Sequence, residues 1–110
     1  MGVRLEKPWR ELTEAAVAGL EAELGVFQLG DADGRVVRIG YAGGRTLFGL
    51  RSELAAALRA REAPRFRTEV TAQYLSRYEE LLMVHLSDHG RLPDGNAADA
   101  RRRIGRITPG

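Results

Sequence analysis

Gly25-Val26-Phe27-Gln28-Leu29-Gly30-Asp31-Ala32-Asp33-Gly34-Arg35-Val36-Val37-Arg38-Ile39-Gly40-Tyr41 is the stretch that decides the fold. Val26 to Leu29 and Arg35 to Tyr41 are rich in β-branched and aromatic residues, and the link between them holds the Asp and Gly residues that accept the positive φ of a tight turn. The stretch reads as a β-hairpin. Downstream, Gly43 and Gly44 break the chain before Leu47, Leu50, Leu54 and Leu58, whose spacing predicts a helix that Pro64 ends. Arg65 to Val70 alternates polar with apolar and predicts a third strand. Thr71 to His89 predicts a further helix, with Leu75, Tyr78, Leu82, Met83 and Leu86 on one face and Gly90 as its stop. Upstream, Leu12, Ala16, Leu20 and Leu24 predict a helix from Pro8 that Gly25 closes. The order helix, strand, strand, helix, strand, helix gives an α+β fold. Three strands cannot bury an apolar face alone, so the expected architecture is a three-stranded, mainly antiparallel sheet flanked by helices.

The length of 110 residues suits one domain, taken as 1–96, followed by a basic, flexible tail at 97–110. At 44% hydrophobic and 29% charged the chain has the composition of a globular protein. No apolar run approaches a bilayer span and the first residues lack the apolar stretch of a signal peptide, so the chain reads as cytoplasmic. It contains no cysteine, which excludes disulfides, thiolate metal sites and a thiol nucleophile. The net charge of +2 is unevenly spread: residues 91–110 carry five arginines against two aspartates, while residues 1–90 carry 12 basic against 13 acidic groups. Arg101, Arg102, Arg103 and Arg106 either hold phosphate groups or keep a tail solvated.

Two charges break the helical patterns. Arg51 falls among Leu47, Leu50, Leu54 and Leu58, and Glu79 falls among Leu75, Leu82, Met83 and Leu86. An isolated buried charge is costly, so the two are expected either to pair in the interior or to line a cleft where charge is used. In a cleft, Arg51 would stabilise charge on a phosphate and Glu79 would hold a divalent cation, the two tasks phosphodiester cleavage requires beside the scissile group.

The order of these landmarks resembles the GIY-YIG nuclease superfamily over residues 25–96. Gly25-Val26-Phe27 resembles the first motif and Arg38-Ile39-Gly40 the second, across the hairpin. Arg51 matches the family's helix arginine, with Arg45 as the other candidate, and Glu79 its metal-binding glutamate. Pro93 and Asn96 resemble the terminal Pro-x-x-Asn, and the segment from Trp9 to Glu14 resembles the helical lead-in of small stand-alone members. The resemblance implies magnesium- or manganese-dependent cleavage of DNA or RNA. Glu79 would be the metal ligand, Arg51 would act at the scissile phosphate, and Arg38, Arg45 and the Gly40 backbone would position substrate. The sequence departs from the pattern at the base. The tyrosine that ends the first motif is Phe27, which has no titratable group, and the one that opens the second is Arg38, which stays protonated. Water would then be activated by the metal or by Tyr41, on the strand face opposite Arg38, although Tyr41 reads first as an aromatic packing the sheet.

The second reading is therefore a catalytically inactive member kept as a nucleic-acid-binding or protein-interaction module. In that case Arg51 and Glu79 form a structural salt bridge, and removing either charge costs about 3–5 kcal/mol if the pair is buried. A third is a subunit whose partner supplies the missing groups. The loop from Gly40 to Thr46 fits neither a dinucleotide nor a P-loop pattern and reads as a tight connection. His85 and His89 read as dipole-complementing residues of a last helical turn, and Asp31 and Asp33 match a calcium loop for only three residues.

Overall fold

The hairpin expected from its turn chemistry organises the whole sheet. The computed structural model describes residues 4–97. In it β1 (Arg10–Glu11), α1 (Glu14–Ala18), β2 (Gly25–Gly30), β3 (Val36–Ala42), α2 (Gly49–Arg59), β4 (Arg65–Val70) and α3 (Tyr74–His89) follow in that order. The Asp31 carboxylate accepts the backbone N–H groups of Asp33 and Arg35, and Gly34 turns the chain at a φ of 85°. That turn brings β2 and β3 into an antiparallel register with Phe27 opposite Gly40 and Val26 opposite Tyr41.

The fold is α+β, with a four-stranded antiparallel sheet in the order β1-β4-β2-β3. The fourth strand corrects the expected count of three. Arg10 and Glu11 pair with Phe66 and Arg65 of β4, in a segment expected to be helical. The Thr13 hydroxyl accepts the Ala16 N–H as an N-cap, so the helix begins there, and it is closed at Gly19 well before Leu24. The opening stretch is thus a short strand and a short helix.

Alternate residues of β2 face opposite layers, and both layers are apolar. Phe27 and Leu29 pack with Leu50, Leu54 and Ala57 of α2, Phe66 of β4 and Val17 of α1. Val26 packs with Ile39 of β3, Leu81 of α3 and Leu5. The sheet is consequently a middle layer, with α1 and α2 on one face and α3 on the other, and β2 is buried on both sides. Gly30 lies where β2 passes beneath Trp9: a side chain there would put its Cβ 2.6 Å from the indole. α3 ends at Gly90, in the left-handed conformation at a φ of 75°, as its sequence predicts. Among the described residues no helix is long and apolar enough to cross a membrane. The arginines of the basic tail lie outside the described residues.

Candidate functional site

The two motif strands meet, but what they present is packing. Phe27 has 0 % exposure, and its ring lies against Gly40, where any side chain would collide with it. Arg38, on the same sheet face, holds its guanidinium 5.2 Å from the Phe27 ring centroid. It donates from Nε and Nη2 to the two Glu62 carboxylate oxygens, at 2.8 and 3.2 Å. Arg38 is therefore neutralised and partly covered, and Gly40 is buried beneath an aromatic ring. Arg38 thus meets Glu62, and Gly40 meets the Phe27 ring, at the positions expected to face a substrate.

Arg51 and Glu79 are not a pair. α2 and α3 lie on opposite faces of the sheet, and among the described residues neither charge makes an ion pair. The expectation failed because the buried stripe of each helix is rotated from the one its leucines suggest. On α2 the buried positions are Leu50, Leu54 and Ala57, while Leu47 precedes the helix and is 81 % exposed. On α3 Leu81 is buried with Tyr74, Tyr78 and Leu82 packed beside it, while Leu75, Met83 and Leu86 face outward with Glu79. Arg51→Ala and Glu79→Ala are each expected to change unfolding free energy by less than about 0.5 kcal/mol, and to add in the double variant. Urea denaturation of the three proteins checks this, and non-additivity above that size would restore the pair.

Among the described residues Glu79 offers a cation one carboxylate and no second protein ligand beside it. The carboxylate is exposed, its neighbour Glu80 is held by Arg77, and the described residues contain no group of three or more His, Asp or Glu side chains able to share an ion. With Arg51 beyond the sheet, a metal on Glu79 would not face the same phosphate as the arginine.

Tyr41 and Arg45 do come together. Tyr41 stacks on Tyr74 at 5.7 Å between centroids and meets the edge of Tyr78 at 4.9 Å. The Gly44 N–H donates to the Tyr74 hydroxyl at 3.3 Å, fastening the loop after β3 to the start of α3. Tyr41, Arg45, Thr46, Glu53 and Tyr74 line a cleft of about 370 Å³. Glu53 and Tyr74 were not singled out from the sequence, because only the packing of α2 and α3 around the β3 edge brings them there. The expected base, Tyr41, is thus an aromatic packed between two others.

A further exposed cationic surface lies on the outer side of α2. Phe48 is 51 % exposed, Arg51 sits 5.8 Å from its ring centroid, and the two line a groove of about 340 Å³ with Ser52, Ala55 and Arg59. Arg59 lies two turns along from Arg51 and likewise makes no ion pair among the described residues. A family model described as a domain of unknown function, DUF7508, matches residues 3–88. No curated protein matches the chain.

Proposed function

The chain belongs to the DUF7508 family, a domain of unknown function, and we propose that it is a GIY-YIG-like domain of the cytoplasm that binds single-stranded nucleic acid without cleaving it. The observation that carries this reading is the outer groove of α2, which an exposed aromatic ring lines together with two arginines that make no ion pair among the described residues. Proteins that hold single strands combine cationic groups for the backbone with aromatic faces on which bases stack. Arg51 and Arg59 supply the first and Phe48 the second.

The absence of cleavage is supported by what the motif positions do. Phe27 is sealed in the core, Arg38 is held by Glu62, and the sheet separates Arg51 from Glu79. Tyr41, the remaining candidate base, is packed between Tyr74 and Tyr78 rather than set beside Arg51. The kinship is supported by landmark order: a hairpin that sets Phe27 opposite Gly40, then α2, β4 and α3, then Asn96.

The test is fluorescence anisotropy with labelled single- and double-stranded DNA and RNA over a salt series, with gels of the same samples in magnesium or manganese. Binding to single strands that weakens with salt, without cleavage, is expected. Each lost phosphate contact should lower the slope of log K against log salt by about 0.7, so Arg51→Ala and Arg59→Ala flatten it. Phe48→Ala should cost about 1–3 kcal/mol of binding. Cleavage abolished by Glu79→Ala would replace this reading with the hydrolytic one, and unchanged binding in the α2 variants would move the surface elsewhere.

A further inference from the structure

Around the hairpin turn, on the α3 face of the sheet, a second cationic cleft of about 380 Å³ lies between the turn, β4, the last turn of α3 and the segment after it. Three arginines, Arg35, Arg67 and Arg91, line it against two aspartates, Asp31 and Asp94, leaving one net positive charge that rises to three when His85 and His89 are protonated. Arg35 is committed to Asp31 and Asp33 at 3.6 and 3.3 Å. Arg67 makes no ion pair among the described residues.

The groups that Arg67 touches directly carry no charge. Its Nε donates to the Gln28 side-chain oxygen at 2.8 Å and its Nη1 to the Lys7 carbonyl at 3.0 Å, both neutral acceptors. Its guanidinium lies 4.1 Å from the centroid of Trp9, the only tryptophan. Burial lowers its pKa below the ordinary arginine value, and Glu6 offsets this in part. Nη2 makes no hydrogen bond among the described residues, and the side chain borders the cleft.

The histidines add a proton-dependent component. A carbonyl only accepts, so His85 donates its Nδ1 proton to the Arg91 carbonyl at 3.0 Å, and Nε2 is left as the site that takes up a second proton. Burial holds the His85 pKa down, with the Arg91 carbonyl opposing and His89 reinforcing that shift. The His89 ring is 4.3 Å away between centroids. On the same helix Asp88 is drawn away by Arg4, whose Nη2 reaches it at 2.7 Å. Facing the pair from the other elements are Arg67 of β4, Asp31 and Arg35 of the turn, and Arg91 and Asp94 after α3.

We propose that this cleft binds the phosphate group of a small phosphorylated molecule, anchored by Arg67 and Arg91, with affinity that rises when His85 and His89 are protonated. Its volume falls in the range of small-ligand sites. An oxyanion supplies the direct ion pair that Arg67 does not make among the described residues and accepts from the N–H groups of Arg91 and of a protonated imidazole. The site is on the sheet face opposite α2 and does not depend on nucleic-acid binding there.

Trp9 emission reads occupancy, because a ligand on Arg67 alters the cation stacked on the indole. The full chain is titrated with sulfate, a dianion at both pH values, at pH 5.5 and pH 8 with ionic strength held by chloride. Inorganic phosphate, phenyl phosphate and a 5′-phosphorylated dinucleotide at pH 8 distinguish free phosphate from a monoester or a strand end. Saturable binding about tenfold tighter at pH 5.5 is expected, with the pH effect reduced in His89→Gln. Arg67→Gln should abolish binding, and Arg91→Ala, at an exposed position that leaves Trp9 untouched, should weaken it about tenfold. No saturable change in the wild type, or equal affinity in Arg91→Ala, overturns the proposal, as does pH-independent sulfate binding.

Discussion

Phe27→Ala is expected to lower the unfolding free energy by about 3–5 kcal/mol. The ring is wholly buried, sits in the layer between the sheet and α2, and fills the space that Gly40 leaves by having no side chain. Deleting it leaves a cavity that Gly40 cannot collapse into, and removes the face on which the Arg38 guanidinium rests. Urea denaturation with an unchanged m-value measures the loss, and a cost under about 1 kcal/mol would mean that the ring is not a core element. Phe27→Tyr, which restores the hydroxyl of the GIY-YIG pattern, places that hydroxyl at the end of the ring packed over Gly40. It is expected to destabilise by about 1–3 kcal/mol and to confer no cleavage.

Asn96→Ala is expected to cost about 2–5 kcal/mol, from two backbone groups stripped of their partners. β3 is an edge strand, so its outer N–H and C=O groups have no neighbouring strand. At Ile39 the Asn96 amide takes that place. Its Oδ1 accepts the Ile39 N–H at 2.7 Å and its Nδ2 donates to the Ile39 carbonyl at 2.8 Å, the exchange two paired strand residues would make. Asn96 is only 5 % exposed, so water does not replace these bonds when the side chain is cut. Thermal melts check the loss, and hydrogen exchange at the Ile39 amide localises it: exchange should rise there without a matching rise on β4. Equal protection in the variant would show that the amide is not what closes the edge.

These two positions show how unevenly the sequence can be read. The hairpin, β4 and the end of α3 were legible because their signals are local: Asp31 and Gly34 make the turn within five residues, and Gly90 closes its helix by its own backbone conformation. β1 was not legible, since Arg10 and Glu11 have no strand signature of their own and are extended only because Phe66 and Arg65 pair with them. The helical faces were half legible. Leu50 and Leu54 point inward as their spacing implies, but Leu47, Leu75 and Met83 do not, and that rotation moved Arg51 and Glu79 from an interior pair to separate surfaces.

Residue identity alone determined that Phe27 has no proton to exchange and that Arg38 stays charged, that no thiol chemistry is open to this chain, and that turn residues and periodicity give an α+β class. The tertiary structure decided which side chains share a space. It put α2 and α3 on opposite faces of one sheet, gave Glu62 to Arg38 and Asn96 to Ile39, and set Arg67 on Trp9 with neutral hydrogen-bond acceptors. The physical reason is that propensity and turn geometry act over a few residues, whereas a charge is matched or left unmatched by groups tens of residues away in the chain.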